Sequence, residues 1–267
     1  MDADLLFLWR FLGKGRDFLS EKLILIDGNS LLHRAFHALP LLTNSQGDYT
    51  NGVYGFTNMM MKLIGDEDPD YLLVAFDKGK KTFRHQMFEE YKGTRKPTAP
   101  ELAGQFGMLR DVLEAMGVPY VEMDDYEADD LIGTFARKGQ EEGLDVLIVS
   151  GDKDTLQLIS DRVRVLLTRK GISQTELCDI QWLDEQYGLT PGQMIDLKAL
   201  MGDASDNIPG VPGVGEKTAL KLIRQYSSLE SVYDHLDEIK GKKLPEHLKN
   251  HREDALLSYR LGRSNVD

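Results

Sequence analysis

Closely spaced acidic residues are the strongest chemical signal in this chain. Glu127-Ala-Asp129-Asp130 and Asp152-Lys-Asp154 stand on either side of a helix-length segment and a strand-like run. Asp203-Ala-Ser-Asp206 forms a third group, and Asp27 and Asp77 each follow a short apolar run, KLILI and YLLVAF. Every group also has an ordinary reading. Acids in a helix's first turn complement the helix dipole, and Asp-x-Asp after a strand makes a turn and a cap. The set is harder to explain that way. Asp27, Asp77, Asp152 and Asp154 lie just past predicted strand ends, where an open parallel sheet gathers its ligands. Two like charges roughly 4 Å apart repel by about 4 kcal/mol at an effective dielectric of about 20. Either several of these acids stay protonated or cations hold them together. All-oxygen donors suit Mg²⁺ or Mn²⁺ better than zinc. Two such ions roughly 4 Å apart form a clamp for phosphodiester hydrolysis.

The elements that must position these acids can be read from periodicity. Ala128, Leu131, Ile132, Phe135 and Ala136 follow a helical period, and Glu127 and Asp130 share a face at the first turn. Leu144 to Val149 is an apolar run broken only by Asp145, the pattern of a strand covered on both faces. Lys22–Ile26, Tyr71–Phe76, Val118–Glu122, Val163–Leu167 and Gln174–Cys178 read as further strands. Helices are expected after Asp27, over Tyr54–Ile64 and over Glu101–Met116. Strands alternating with helices predict an α/β domain over residues 22–178, with a mostly parallel central sheet flanked by helices. Beyond about Asp179 the strands stop. Trp182–Tyr187, Met194–Met201, Lys217–Tyr226, Leu229–His235 and Pro245–Arg260 read as helices of a second, helical subdomain spanning 179–267.

Composition narrows the classes. The chain has 267 residues, 41% hydrophobic and 28% charged, ample for a packed core. A single cysteine, Cys178, excludes an internal disulfide and suits a reducing cytoplasm. No apolar run approaches the roughly 20 residues that span a bilayer, so no membrane partner is expected. LLFLW near the start is interrupted by Arg10, and residues 1–21 read as an extension of unknown role. The net charge of −12 argues at first against a nucleic-acid partner, but setting the nine candidate acids aside leaves only −3. Within residues 78–96, seven basic residues (Lys78, Lys80, Lys81, Arg84, Lys92, Arg95 and Lys96) face two acidic ones, with Phe83, Phe88 and Tyr91 between them. Cations with interleaved aromatics suit single-stranded nucleic acid; a solvated helix with inward-packed rings would look the same.

Gly210-Val-Pro-Gly213-Val-Gly215-Glu-Lys217-Thr218 has the look of a phosphate-binding P-loop. Gly210 and Gly215 fit that pattern, but Glu216 stands where it requires Lys, and no strand precedes it. A helix-hairpin-helix type turn fits better, with Gly213 and Gly215 letting backbone amides approach a DNA phosphate. An ordinary tight turn between helices remains the alternative.

The motifs LILIDGNSLLHRAF, LLVAFDKGKKTFRH, YEADDLIGTFA, VSGDKDTLQL and LMGDASDNIPGVPGVGEKTA, in that order, resemble the 5′–3′ exonuclease and flap endonuclease family. Within it, the chain resembles the 5′-nuclease domains of bacterial DNA polymerase I. The resemblance covers roughly Lys22 to Leu261. It implies that acids matching Asp27, Asp77, Glu127, Asp129, Asp130 and Asp152 hold the catalytic metal, with Asp154, Asp203 and Asp206 at a second site. It implies a basic helical arch over residues 78–100 that admits a 5′ single strand. Lys80, Lys81, Lys92 and Arg95 would then contact DNA, and Arg34 and Arg84 would lie near the scissile phosphate. The turn at Gly210–Lys217 would be a helix-three-turn-helix that grips duplex DNA through Gly213, Gly215 and Lys217 and binds K⁺. The expected protein is a monomeric, metal-dependent 5′-flap nuclease of replication and repair.

Two other readings remain. A branched-DNA-binding module with little turnover would explain the unmatched ends, residues before Lys22 and Arg263–Asp267, which leave a stand-alone protein and a fragment both open. A small-molecule phosphohydrolase built on Asp152-Lys-Asp154 would want Thr or Val where Leu156 stands.

Overall fold

The computed structural model describes residues 21–170 and 174–266; residues 1–20 of the leading extension lie outside the described residues. Three apolar runs, within residues 22–27, 71–76 and 145–150, become the buried heart of a sheet because strands covered on both faces need no polar alternation. The chain runs β1 (Lys22–Asp27), α1 (Gly28–Ala38), α2 (Asn51–Glu67), β2 (Tyr71–Thr82), α3 (Phe83–Met87), α4 (Pro100–Met116), β3 (Tyr120–Asp125), α5 (Ala128–Glu141) and β4 (Asp145–Ser150). A 3₁₀ segment (Lys153–Leu158), β5 (Val163–Lys170) and β6 (Gln174–Cys178) follow. Helices complete it: α6 (Ile180–Tyr187), α7 (Gln193–Met201), α8 (Glu216–Tyr226), α9 (Leu229–Asp234), α10 (Lys243–Asn250) and α11 (Arg252–Gly262).

The strands form one sheet of order β3-β2-β1-β4-β5-β6, parallel except for the β5–β6 pair. One apolar layer joins the sheet to α1, α2 and α4; another joins it to α5 and the C-terminal helices. The order turns back between β1 and β4, which pair directly with Ile26 opposite Val149. Such a switch point opens a crevice at the strands' carboxyl ends, and Asp27 and Asp152 stand on its two sides.

Three expectations are corrected. Asp77 lies inside β2 rather than past its end, because β2 runs on to Thr82 after a register shift. The basic segment is not a helical arch. It is strand to Thr82, one short helix over Phe83–Met87, then turns, and α4 begins at Pro100. The long helix expected over Pro245–Arg260 breaks at His251 into α10 and α11.

Candidate metal-dependent active site

Each central acid is fixed by its own local structure. Asp27 caps α1, accepting the Ser30 amide at 2.9 Å and the Ser150 hydroxyl at 2.7 Å. Asp77 accepts the Ala128 amide at 2.7 Å and the Asn29 side chain at 3.1 Å. Asp152 caps the 3₁₀ segment through the Asp154 amide at 2.9 Å. Asp129 sits in the first turn of α5. Asp27, Asp77, Glu127, Asp129 and Asp152 line one cleft of about 600 Å³, together with Arg34, Lys92 and Arg95. Asp152 also lines a neighbouring cavity of about 420 Å³ with Asp154, Asp203 and Lys198. Oxygens of Asp154, Asp203 and Asp206 lie within 4.8 Å of one another.

Electrostatics divide these acids into two sets. The outer ones are neutralised by the chain itself. Lys92 pairs with Glu127 at 2.9 Å, Arg95 pairs with Asp206, and Lys198 bridges Asp154 and Asp203. Tyr91 donates toward Glu127 at 3.1 Å and Asp206 at 3.4 Å. Among the described residues, no lysine or arginine pairs with Asp27, Asp77, Asp129 or Asp152. Burial raises Asp27 to about 7, and the charges of Asp77 and Asp152 push the same way. Burial lifts Asp129 well above the usual carboxylate range, reinforced by Asp27, Asp152 and Asp154. Asp154 is raised to about 6 by burial and Asp152, against the pull of Lys198. Asp203 goes the other way, to about 2: Lys198 and Ser205 outweigh its burial. Burial and like charge thus hold protons where a divalent cation could replace them, and the donors are all oxygen, which suits a hard ion.

The pH dependence of stability follows in sign. Without divalent ions, folded Asp27 and Asp154 keep protons up to about 7 and about 6, whereas the unfolded chain releases them near 3.8. Their stabilising contribution is complete below the unfolded value and is lost as pH rises through the folded ones. Asp203 opposes this only between 3.8 and about 2. In EDTA, the melting temperature at about pH 7.5 should fall below that at about pH 5, and Asp27→Asn should shrink the gap. An equal gap in that variant would show that other groups set it.

Two predicted site residues are elsewhere. Arg84 is 3% exposed and Asp130 is 1% exposed. Arg84 reaches both Asp130 oxygens, at 2.7 and 2.8 Å. The same carboxylate accepts the Glu127 amide at 3.1 Å and the Asn265 amide at 2.7 Å. Its acceptor capacity is filled, so Asp130 is an N3 cap and ion-pair partner, and Arg84 is turned away from the cleft. Three apart on α5's first turn was read as a shared face; the box with Glu127 is what that spacing makes.

The remaining candidates fall into place more simply. Arg34 lines the cleft, its Nη1 held by the Arg169 carbonyl at 2.7 Å, and its buried Nε has no partner. A Cβ on Gly151 would stand 2.7 Å from its Nη2, so a side chain there would push the guanidinium aside. Lys81 is exposed at the end of β2, which also contains Lys80. Gly213 needs its positive φ of 79°, and Gly215 caps α8 without a side chain. Lys217, Lys221 and Arg224 share an exposed basic face of α8. Lys198 escaped the sequence reading, although a lysine inside the buried run Leu197–Leu200 was a visible signal of a paired charge.

Family models for the 5′-3′ exonuclease match throughout: its N-terminal resolvase-like domain over residues 22–188 and its C-terminal SAM fold over 189–267. The chain belongs to the 5′-3′ exonuclease family. Curated relatives of this family include DNA polymerase I of Bacillus caldotenax, 55% identical over 91% of this chain, and that of Bacillus subtilis, 53% identical over 90%. The chain spans only 28% and 27% of their lengths. Among solved structures, the T5 5′-exonuclease with bound divalent zinc is 26% identical, covering 92% of this chain and 90% of that one, with a TM-score of 0.75. A bacteriophage T5 flap endonuclease complex with DNA and metal ions is also 26% identical, covering 92% and 89%, with a TM-score of 0.74. No helix among the described residues is long and apolar enough to cross a membrane.

Proposed function

We propose that this chain is a divalent-metal-dependent 5′-nuclease that hydrolyses DNA phosphodiesters at 5′ flaps and 5′ ends, acting in replication and repair. The observation that carries this is the central set Asp27, Asp77, Asp129 and Asp152, gathered at the switch point with no lysine or arginine ion-paired to any of them among the described residues. Those acids, with Glu127, would hold one ion; Asp154, Asp203 and Asp206 would hold a second. Mg²⁺ or Mn²⁺ fits this oxygen set and would supply Lewis-acid stabilisation of phosphate charge and a water of lowered pKa. Asp130 has no place in either set.

The protein's own contributions are orientation and charge. Arg34, held from behind by Arg169, directs a guanidinium at the cleft, where it can pair with a phosphate. Lys92 and Arg95 already stand over the acids and can turn to phosphate once ions compensate Glu127 and Asp206. Lys81, exposed at the end of β2, would extend this basic side, and Lys80 remains a DNA-contact candidate from the sequence. Duplex DNA would lie on the second part, its backbone at Gly213, Gly215 and Lys217, with K⁺ held by turn carbonyls between Gly210 and Lys217. Such contacts read backbone, not sequence. We assign residues 179–267 to this duplex-binding role. A monomer in the cytoplasm completes the reading, the latter on the single buried Cys178.

Cleavage of a 5′-labelled flap duplex with Mg²⁺, abolished by EDTA and restored by excess ion, is the test. Tight flap binding without product over hours would replace this reading by a branched-DNA-binding module.

A further inference from the structure

Three residues of the site's framework reach the same short segment. Leu261 and Gly262 close α11, and residues 263–266 continue without regular secondary structure. Arg84, at the base of the basic segment, donates Nε to the Leu261 carbonyl at 2.9 Å and Nη2 to the Arg263 carbonyl at 3.0 Å. Asp130 accepts the Asn265 amide. Gln157, one turn beyond Asp154, donates to the Gly262 carbonyl at 3.0 Å and accepts the Ser264 amide at 3.0 Å. The same Gln157 amide group donates to the Asp154 carbonyl at 2.9 Å. A Cβ on Gly262 would stand 3.2 Å from the Lys198 stem, so this backbone also backs the lysine that bridges Asp154 and Asp203.

We propose that residues 261–266 are a positioning strap: one stretch of backbone that fixes the basic segment, the α5 acids and the Asp154 group relative to one another. The bonds are directional and mostly to main chain, so they specify placement rather than only adding stability. Arg84 sits eight residues before Lys92, and four of its five N–H donors are taken by the strap and Asp130. A shift of the strap would therefore move Tyr91, Lys92 and Arg95 against the acids. Displacements of about 1 Å at a distance from the chemistry can cost about 100-fold in rate. The kinetic consequence rests on the nuclease reading; the geometry does not.

The test uses the whole chain. Asn265→Pro deletes the amide that Asp130 accepts, Asn265→Ala keeps it, and Gln157→Met removes both strap bonds of Gln157. The Pro and Met variants should lose at least about tenfold in kcat with KM and flap affinity within about threefold, while Ala loses clearly less than Pro. Amide hydrogen exchange over residues 83–95 should quicken in the Pro and Met variants only. Parent-like kcat and exchange in both, or equal loss in the Ala and Pro variants, overturns the strap. If the Pro variant does not fold, Gln157→Met against the parent decides. If the parent itself fails to cleave, the nuclease reading falls, and exchange over 83–95 still decides the strap.

Discussion

Asp129→Asn should abolish flap cleavage, by at least about 1,000-fold in kcat, and at the same time raise the melting temperature of the metal-free protein. The first effect follows because Asp129 stands among the acids that would hold ions, whose charge stabilisation is worth several kcal/mol, or about a factor of ten per 1.4 kcal/mol. The second follows because burial and the charges of Asp27, Asp152 and Asp154 all disfavour its ionised form. An amide of nearly the same shape removes that repulsion. Flap affinity should survive, since Arg34, Lys92, Arg95 and Lys217 are untouched. Melting scans in EDTA and single-turnover cleavage check both halves. A variant that cleaves, or one that melts lower than the parent, would show that Asp129 is not part of a strained cation site.

Its immediate neighbour should behave in the opposite way. Asp130→Ala leaves the Arg84 guanidinium buried without its partner, in a site 3% exposed. Breaking such a pair costs about 3–5 kcal/mol, a large part of the roughly 5–15 kcal/mol that holds a domain folded. The urea midpoint should fall accordingly. Arg84→Met with Asp130→Leu should recover only part of the loss: the stranded guanidinium is gone, but the Glu127 and Asn265 amides and the Leu261 and Arg263 carbonyls that the pair served lose their partners. The family pattern alone makes Asp130 a metal ligand, which predicts lost cleavage with unchanged stability. A midpoint shift below about 1 kcal/mol in Asp130→Ala would restore that assignment.

This contrast marks where sequence reading stops. The sheet was legible because apolar runs and helical periods are local properties; eight of the nine candidate acids do gather in the cleft, its neighbouring cavity and the Asp154 cluster, although strand-end placement spoke for only four of them and Asp77 proved to lie within its strand. Their pairing was not legible. Asp129 and Asp130 are adjacent and chemically identical, yet a turn of about 100° along the helix sends one into the cleft and the other to Arg84. Arg84 lies 46 residues from Asp130 and 177 from the Leu261 carbonyl that fixes it, distances that no spacing rule covers. The basic segment was read from composition, which says what it could bind but not its shape. Its turns follow from tertiary anchors instead: the Lys92 amide donates to the Asp206 carbonyl at 2.8 Å, and Asn207 reaches the Glu90 carbonyl at 2.7 Å.

The direct pairing of β1 with β4 has a consequence for how the molecule comes into being. These neighbours are separated by more than a hundred residues of chain, with β2 and β3 threaded between them in sequence. Contacts of such long range carry a large loop-closure entropy, which must be met before they can reward it, and so slow folding. Asp27 and Asp152 therefore meet only when the middle of the sheet closes, and mutual repulsion of the acids is felt at that step rather than earlier. A chain emerging from synthesis carries Asp27, Asp77 and Asp129 well before β4 exists to gather them. Completion of the sheet and birth of the cleft are one event.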